Sequence, residues 1–489
     1  MKKLILYIFV VVIFGISIYL IFNIPQPATS TSINEESIVT PHRFDEWKGI
    51  FIHGQRVGYS FTKIDRYDTG LHIENRTQMT LNIMNETRTL TTHFFARTDT
   101  EYTLKNFTLE IATLGHPAKI EGVIKENQLE LTSFSGGTSH TQTIILKEQP
   151  YIPDAIREVI KKKNLKPGDE IALPYFDPIT QSSAAATIIV GDKEKVMVFD
   201  REYTGTRVEI TFMGITSFLW LDDNYTLIKE SSPAMGLEMI PLSKEEALAE
   251  IEPHDAFDLI PFFSVKLDKP IPDPIELSYI KLELENITSE DLDLTDDYQR
   301  LVTTEPLIIE SFRSDIAELP DITLPISEQS EYLEPSAYIQ CRDREIISKA
   351  QELIGDEGDV KKAVGKLVEG VYTMIEKKPT ASLPSAVDVL KTREGDCNEH
   401  AVLFTALARA YGIPTKIYVG LVNLQGVAYF YHAWCAVWLG TWVPVDPTFN
   451  QYPADIGHLK LKEGELSEQA KVLKVVGKLK IDVLDFKKD

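Results

Sequence analysis

The sequence is poor in cysteine and in positive charge, and each shortage excludes a class of protein. The three cysteines, Cys341, Cys397 and Cys435, are odd in number and far apart, which argues against a disulfide framework. The formal net charge of −23 argues against nucleic-acid binding, because binding to phosphates needs a basic surface. Neither a metal, nor a cofactor, nor a nucleic-acid partner is expected.

Long apolar runs are also scarce, and the exception lies at the N-terminus. Residues 4–24 are uncharged and strongly apolar, and a helix of about 20 such residues spans a membrane. Lys2 and Lys3 precede this run and favour the cytoplasmic side, so the body of the chain is expected outside the cytoplasm. A cleaved signal peptide is the alternative, although its apolar region usually has about 7–15 residues. Residues 1–24 are therefore predicted to anchor a single-pass membrane protein.

The remaining sequence divides into four segments by pattern. Residues 25–44 are rich in Pro, Ser and Thr and predict a flexible linker. Residues 45–245 contain short alternating runs and predict a large antiparallel β domain, and residues 246–336 predict a small β or spacer domain. Residues 337–489 change from helical periodicity to strands, which predicts an α+β domain. The expected fold class is multidomain: a transmembrane helix, antiparallel β domains and a C-terminal α+β core.

Three residues of the last segment could carry chemistry together. Cys397, His432 and Asp446 follow one another, 35 and 14 residues apart. A thiol, an imidazole and a carboxylate are the parts of a nucleophilic triad, in which the base activates the nucleophile and the acid orients the base. The spacing suits a helix followed by a returning hairpin. The sequence therefore predicts acyl transfer at an amide, with Cys397 as nucleophile, His432 as acid and base, and Asp446 as orienter.

The context of Cys397 supports this role. An apolar helical period begins at Cys397 and ends at Gly412, and Asp396 is the expected N-cap. A thiol at a helix N-terminus is expected to have a lowered pKa, and a nearby His432 would lower it further. The backbone N–H of Cys397 is a candidate oxyanion donor, because the first helical amides lack intrahelical partners. The sequence assigns no second donor.

A zinc site is the chemical alternative. Cys397 and His400, together with His432 and Cys435, imitate a Cys₂His₂ set. Alternate residues of an extended strand face opposite sides, so Cys435 should face away from the site of His432. Zinc would also leave Asp446 without a task. The pattern therefore favours the triad, with His400 packed near the site and Cys435 as a small buried apolar residue.

Four motifs together resemble the core of the transglutaminase-like superfamily. They are Gly395-Asp396-Cys397, the run from Ala401 to Pro414, His432-Ala433-Trp434, and the run from Trp442 to Thr448. The resemblance covers about residues 380–450 and implies a papain-like fold with the same three catalytic roles; 386–390 and 457–461 resemble it less specifically. The order of anchor, β domains and core is similar to exported prokaryotic members. It departs from the animal crosslinking enzymes, whose core lies between an immunoglobulin-like domain and two barrels.

The expected function is that of a membrane-anchored extracytoplasmic cysteine enzyme that acts on protein or peptide amides through a thioester. Resolution of the thioester by water gives a hydrolase or protease, and resolution by an amine gives crosslinking. Hydrolysis is favoured, because no calcium-site signature is visible. One alternative is a non-catalytic binding or scaffold protein with an inactive core. Another is an enzyme that acts only with a partner in a membrane complex.

Overall fold

The computed structural model describes residues 42–488 apart from short internal segments. The segments outside the description are 84–85, 113–117, 136–137, 179–180, 253–255, 259–263, 291, 325, 337, 379–384 and parts of 466–477. The chain divides near residue 260 into an N-terminal unit and a C-terminal unit. Each unit buries its own set of apolar side chains.

One large antiparallel sheet makes up most of the N-terminal unit. Its strands are β1 (His42–Ile52), β2 (Gln55–Tyr67), β3 (Gly70–Ile83), β4 (Glu86–Thr98), β5 (Leu104–Ala112), β6 (Ala118–Lys125), β7 (Gln128–Ser135), β8 (Thr138–Ile145), β9 (Glu170–Asp177), β10 (Ser182–Val198), β11 (Arg201–Phe212), β12 (Ile215–Leu221), β13 (Leu227–Ser232) and β14 (Leu237–Pro241). The order across the sheet runs from β8 back to β1 and then from β14 back to β9. The short β15 (Phe257–Asp258) pairs with β3 in parallel.

Two helices accompany this sheet, α1 (Ile156–Lys163) and the single turn α2 (Lys244–Ala247). The apolar stripe of α1 is buried, as the spacing of Ile156, Val159 and Ile160 requires. Its polar side also reaches the sheet, where Arg157 forms an ion pair with Glu46 of β1. The helix is therefore held against one face of the sheet by apolar packing and by buried charge.

The C-terminal unit combines helices with two smaller sheets. Its helices are α3 (Arg344–Ile354), α4 (Val360–Met374), α5 (Ala386–Thr392) and α6 (Cys397–Ala410). Its strands are β16 (Ser264–Lys266), β17 (Leu277–Glu285), β18 (Gln299–Thr304), β19 (Leu307–Phe312), β20 (Glu376–Lys377), β21 (Glu394–Gly395), β22 (Thr415–Leu424), β23 (Ala428–Trp438), β24 (Trp442–Val445), β25 (His458–Glu463) and β26 (Lys480–Lys488). One sheet has the order β16-β23-β22-β25 with β24 on β23, the other the order β18-β19-β17-β26, and β20 pairs with β21.

Helix α6 lies at the centre of this unit and carries Cys397 at its start. Its residues from Cys397 to Ala408 are all buried, including the polar Asn398, Glu399 and His400 of its first turn. It packs against α3, α4, α5 and the strands β22 and β23. Because β23 runs alongside the helix and turns back through β24, residues far apart in sequence meet at one end of α6.

The predicted fold class is wrong. The described chain is mostly β, with 51% of residues in strands and 19% in helices, and one large antiparallel sheet dominates it. The predicted membrane-spanning segment, residues 4–24, lies outside the described residues. Among the described helices none is long and apolar enough to cross a membrane; the longest, α4, has 15 residues where about 20 are needed. The predicted location outside the cytoplasm stays a prediction.

The segment 246–336, predicted as a small β or spacer domain, contributes strands to the sheets of the C-terminal unit. β16 pairs with β23, and β17 pairs with β26, both antiparallel. Such pairings join residues more than 150 positions apart. The local pattern of Pro and acidic residues that suggested a spacer carries no information about them.

Candidate active site

A capping box fixes the first turn of α6, where Cys397 lies. The Asp396 carboxylate accepts a hydrogen bond from the Asn398 amide at 3.1 Å, and the Glu399 carboxylate accepts one from the Asp396 amide at 3.0 Å. These reciprocal bonds satisfy amides that a helix N-terminus leaves without partners. The predicted N-cap role of Asp396 is confirmed. The position of the Cys397 side chain at the end of the helix is thereby set by its neighbours.

The Cys397 thiol is enclosed, with none of the residue exposed. Its Sγ accepts a hydrogen bond from the backbone N–H of Ala433. Burial raises the pKa of the thiol well above its ordinary value, the carboxylates of Asp396, Glu399 and Asp446 raise it further, and the Ala433 amide opposes them. The expected lowering of this pKa is therefore wrong for the enclosed site. For this thiol to act as a nucleophile, a base would have to remove its proton.

His432 has the geometry of such a base. Its Nε2 donates a hydrogen bond to Oδ2 of Asp446 at 2.7 Å, so Nδ1 keeps its lone pair in the neutral ring. Nδ1 is buried and has no hydrogen-bond partner among the described residues. The next residue, Ala433, holds the Cys397 sulfur through its amide. The unused lone pair and the thiol therefore belong to one site.

Two aromatic side chains restrict the His432 ring. The Phe449 ring stacks on it with 5.0 Å between centroids and a 16° interplanar angle. The Trp434 ring lies 6.1 Å away at 12°. Both rings are nearly parallel to the imidazole, so rotation of the His432 ring is hindered.

Asp446 accepts four hydrogen bonds in a fully buried position. Its Oδ2 accepts hydrogen bonds from Nε2 of His432 at 2.7 Å and from Nε2 of His458 at 3.0 Å. Its Oδ1 accepts hydrogen bonds from the backbone amides of Thr448 at 2.7 Å and Phe449 at 3.3 Å. Burial opposes the charge of this carboxyl, but the two histidines outweigh it and lower its pKa well below the usual range. Asp446 is therefore ionised and bonded to His432, and its orienting role stays a prediction.

His458 is a site residue that sequence reasoning did not single out. Its Nε2 faces Oδ2 of Asp446, and its Nδ1 lies 3.0 Å from the carbonyl oxygen and 3.3 Å from Oδ1 of Asp455. Both ring nitrogens face acceptors only, so both carry protons and the ring is a cation. Burial works against this charge, but the bonds to Asp446 and Asp455 raise the pKa of His458 to about 10. The only sequence signal was the weaker family resemblance of residues 457–461.

Two further titratable groups lie near the site, His400 and Lys377. His400 donates from Nδ1 to the Asp396 carbonyl oxygen at 2.5 Å, and burial lowers its pKa to about 4, so it is neutral. Lys377, in β20, donates to the Tyr372 carbonyl oxygen at 2.8 Å. Burial lowers the pKa of Lys377 to about 8, although the charge of Asp446 opposes this. His400 thus packs near the site as expected, and Lys377 adds a partly buried amine that the sequence did not indicate.

Cys435 lies away from the His432 ring. Its thiol donates to the carbonyl oxygen of Ala401 at 3.4 Å and lies 3.4 Å from the hydroxyl of Thr405, both on α6 beyond the first turn. This is the placement that strand parity predicts. The four residues of the zinc alternative are not among the clusters able to share an ion in the described part of the chain.

His432, Asp446 and His458 could be read as a metal site, because their ligand atoms all lie within 4.8 Å of one another. A ligating histidine must present a lone pair, and a metal competes with protons for it. Both nitrogens of His458 donate hydrogen bonds to oxygens, so this ring has no lone pair to offer in the observed arrangement. The cluster fits a proton network better than a metal.

A cavity of about 220 Å³ borders the site. Phe449, the ring that stacks on His432, forms part of its wall, together with Thr448 and Tyr372. The Thr448 hydroxyl is buried and has no partner among the described residues. The remaining lining combines polar or acidic residues with apolar ones: Asp273, Asn423, Gln425, Gln451 and Asp455, and Ile275, Val422 and Leu424. Such a lining suits a chain that has both hydrogen-bonding and apolar groups.

Comparison with known proteins assigns a family to this region. Residues 347–447 match the model of the transglutaminase-like superfamily. This span holds α3 to α6, Cys397, His432 and Asp446. No curated protein matches the chain.

Solved structures give weak likenesses only. A candidate cysteine protease from Cytophaga hutchinsonii is 17% identical, with 44% of this chain and 86% of that chain covered and a TM-score of 0.28. A β-barrel-like protein of a domain of unknown function from Brucella abortus is 14% identical, covers 41% and 94%, and has a TM-score of 0.31. A protein of another uncharacterised family from Pseudomonas aeruginosa is 8% identical, covers 43% and 98%, and has a TM-score of 0.23. At these scores none of them supports an inference about this chain.

Proposed function

We propose that this chain, whose residues 347–447 form a transglutaminase-like domain, is a cysteine enzyme that cleaves amide bonds of protein or peptide substrates. The observation that carries the proposal is the hydrogen-bond pattern around His432. Asp446 holds Nε2 at 2.7 Å, the buried Nδ1 has no hydrogen-bond partner among the described residues, and the amide of the next residue, Ala433, holds the Cys397 sulfur. A neutral thiol with a neutral base is the starting state of a nucleophilic attack in which the base removes the proton.

The reaction follows from these groups. Nδ1 of His432 takes the thiol proton as Sγ of Cys397 bonds to the carbonyl carbon of the substrate. The backbone N–H of Cys397, at the first helical position, stabilises the oxyanion. The His432 imidazolium, stabilised by ionised Asp446, then gives its proton to the leaving nitrogen, and the C–N bond breaks to leave a thioester.

Water resolves the thioester in the hydrolytic branch. His432 removes a proton from the attacking water, the carboxylic acid leaves, and the sulfur regains its proton. An amine in place of water would give a new amide instead. The cavity beside Phe449 is lined by polar, acidic and apolar residues and borders the ring that stacks on His432, so we assign it to the substrate chain.

Access to the sulfur requires movement, because Cys397, His432 and Asp446 are fully buried. Substrate therefore reaches Sγ only after the enclosing side chains give way. Alkylation by a small reagent should be slower than for an exposed thiol but should still depend on the base.

The test is alkylation of the full chain with iodoacetamide between pH 5 and 9, with the modified cysteine located by mass spectrometry. Cys397 should react, and the reaction should slow at least tenfold in His432→Ala. Cys435→Ala is the matched control. The Cys435 thiol is bonded to α6, so its removal should leave the alkylation rate of Cys397 unchanged. Equal labelling of Cys435, or unchanged labelling of Cys397 in His432→Ala, would contradict the proposal.

A peptide library then shows whether water or an amine resolves the thioester. Products are read by mass spectrometry with and without added lysine amines. New carboxyl ends support hydrolysis, and amine adducts support transfer. Thiol reactivity without any turnover would instead favour the non-catalytic alternative.

A further inference from the structure

A second cavity lies within the N-terminal unit, between α1 and one face of the large sheet. Its volume is about 60 Å³, room for roughly four waters at about 10–15 Å³ each. Much of its wall is apolar: Ile156, Ile210, Phe212, Ile215, Leu219 and Leu227. Neither the catalytic residues nor the family match falls in this unit, so the proposed function does not account for the cavity.

The other part of the cavity wall carries three oxygens without partners. The hydroxyls of Thr62 and Tyr175 and Oδ2 of Asp154 are buried and make no hydrogen bond within the described chain. Thr62 is 2% exposed and Tyr175 is 1% exposed. A buried polar group left unpaired costs about 1–3 kcal/mol. Three such groups around one cavity are best explained by a ligand that pairs with them.

These oxygens belong to one cluster. Oδ1 of Asp154 accepts a hydrogen bond from the Asn75 side chain, and Asn75 lies directly opposite Thr62 in the pairing of β2 with β3. The charge of Asp154 also acts on the Tyr175 hydroxyl. The helix turn at Asp154 and the strands β2 and β9 therefore converge on one polar end of the cavity.

The charges around this end do not balance. Arg157 is held by both oxygens of Glu46, at 3.0 and 2.8 Å. Lys48 and Glu230 also line the cavity and carry opposite charges. These four groups cancel, so an ionised Asp154 leaves one negative charge unmatched in a buried place.

The pKa of Asp154 is raised in this position. Burial raises its pKa to about 7, with Lys48 and Asn75 opposing and Glu230 assisting. An added cation beside Oδ2 would complete the charge set.

We propose that this cavity binds a small primary amine, with its ammonium group on Asp154, Tyr175 and Thr62 and its alkyl body against the apolar wall. An ammonium group has three N–H donors, which match three acceptor oxygens. An alcohol brings a single donor and leaves the charge of Asp154 unmatched. A carboxylate ligand would add a second negative charge, which a buried site disfavours.

The test uses three probes of equal size on the full chain: n-butylamine, n-butanol and butyrate, measured by isothermal titration calorimetry. Butylamine should bind at least tenfold more tightly than the other two. Free Asp154 is half protonated near pH 7, so binding should release about half a proton. This release is measured from the heats in two buffers with different ionisation enthalpies.

Variants assign the contacts. Asp154→Asn should weaken butylamine binding at least tenfold and abolish proton release, and Tyr175→Phe and Thr62→Val should weaken it several-fold. Ser217→Ala is the matched control, since Ser217 lines the cavity but its hydroxyl is not among the unpaired groups. Binding of butanol with equal affinity, binding of butyrate in preference, no binding of butylamine, or undiminished binding to Asp154→Asn would each overturn the proposal.

The wild-type chain provides a test that does not depend on the folding of Asp154→Asn. Affinity for butylamine should fall about tenfold from pH 8 to pH 6 as Asp154 becomes protonated. The charged groups around Asp154 are Lys48, Arg157, Glu46 and Glu230. A flat pH profile would contradict the assignment of the ammonium to Asp154.

Discussion

Nε2 of His458 lies 3.0 Å from Oδ2 of Asp446, the same oxygen that accepts the proton on Nε2 of His432. One carboxylate oxygen therefore holds two imidazoles whose other ring nitrogens have different surroundings. His458 carries two protons because its Nδ1 faces the oxygens of Asp455, whereas Nδ1 of His432 faces no acceptor among the described residues. The cation at His458 keeps Asp446 ionised, and Asp446 fixes a proton of His432 on Nε2.

Replacement of Asp446 by asparagine tests this orientation. The amide can present N–H to Nε2 of His432, which would place the proton on Nδ1 and remove the base. We expect kcat/KM for a peptide substrate to fall on the order of 10³- to 10⁴-fold, as removal of an orienting carboxylate does in triads. Cys435→Ala is the control, because the Cys435 thiol bonds Ala401 and Thr405 of α6. Full activity of Asp446→Asn would show that the carboxylate has no orienting role.

Replacement of His458 by glutamine removes the cation between two buried carboxylates. Loss of one partner from a buried ion pair costs about 3–5 kcal/mol, because the remaining charge is uncompensated. We expect a decrease of that size in the free energy of unfolding, measured by urea denaturation. The double variant His458→Gln with Asp455→Asn should recover part of it, since one of the two stranded carboxylates is then absent. A loss below about 1 kcal/mol would indicate that His458 is neutral.

The pH dependence of stability follows from the same pair. The pKa of His458 is raised from an ordinary value of 6.5 to about 10, so its contribution is complete below pH 6.5 and is lost as pH rises through 10. The pKa of Asp446 is lowered, so its contribution is complete above about pH 4 and is lost as pH falls further. The stability difference between the wild type and His458→Gln should therefore be largest between about pH 4 and 6.5. It should shrink steadily towards pH 10 in unfolding curves at each pH.

The sequence predicted the parts of the site that depend on local pattern. Helix α6, its N-cap Asp396 and the side of β23 on which Cys435 lies all follow from capping and strand parity. The charge state of His458 does not follow from local pattern. It depends on the Asp446 carboxylate, twelve residues away, which the positions of β24 and β25 bring next to the ring. The raised pKa of Cys397 was also missed, since burial outweighs the helix position.

The fold was predicted less well, for a similar reason. Alternating runs indicate strands, but the number of strands in one sheet depends on which pairs form. The pairing of β16 with β23 joins Val265 to Tyr429, and no local feature of either strand indicates it. The unpaired oxygens of Thr62 and Tyr175 could not be predicted from local pattern either. They line one cavity only because three distant segments of the chain meet there.

The amide and the hydroxyl of Thr448 have different neighbours, so a variant of this residue can distinguish effects on substrate binding from effects on the chemistry of the site. Its amide donates to Oδ1 of Asp446 at 2.7 Å, whereas its hydroxyl lines the 220 Å³ cavity and has no partner in the described chain. Thr448→Val keeps the shape and the amide and removes only the hydroxyl. A lost hydrogen bond of about 0.5–1.5 kcal/mol corresponds to roughly a 2- to 10-fold rise in KM for a peptide. The rate of Cys397 alkylation should not change, because iodoacetamide does not occupy the cavity. Equal effects on KM and on alkylation would mean that Thr448 acts through Asp446, and an unchanged KM would move the substrate chain to another surface.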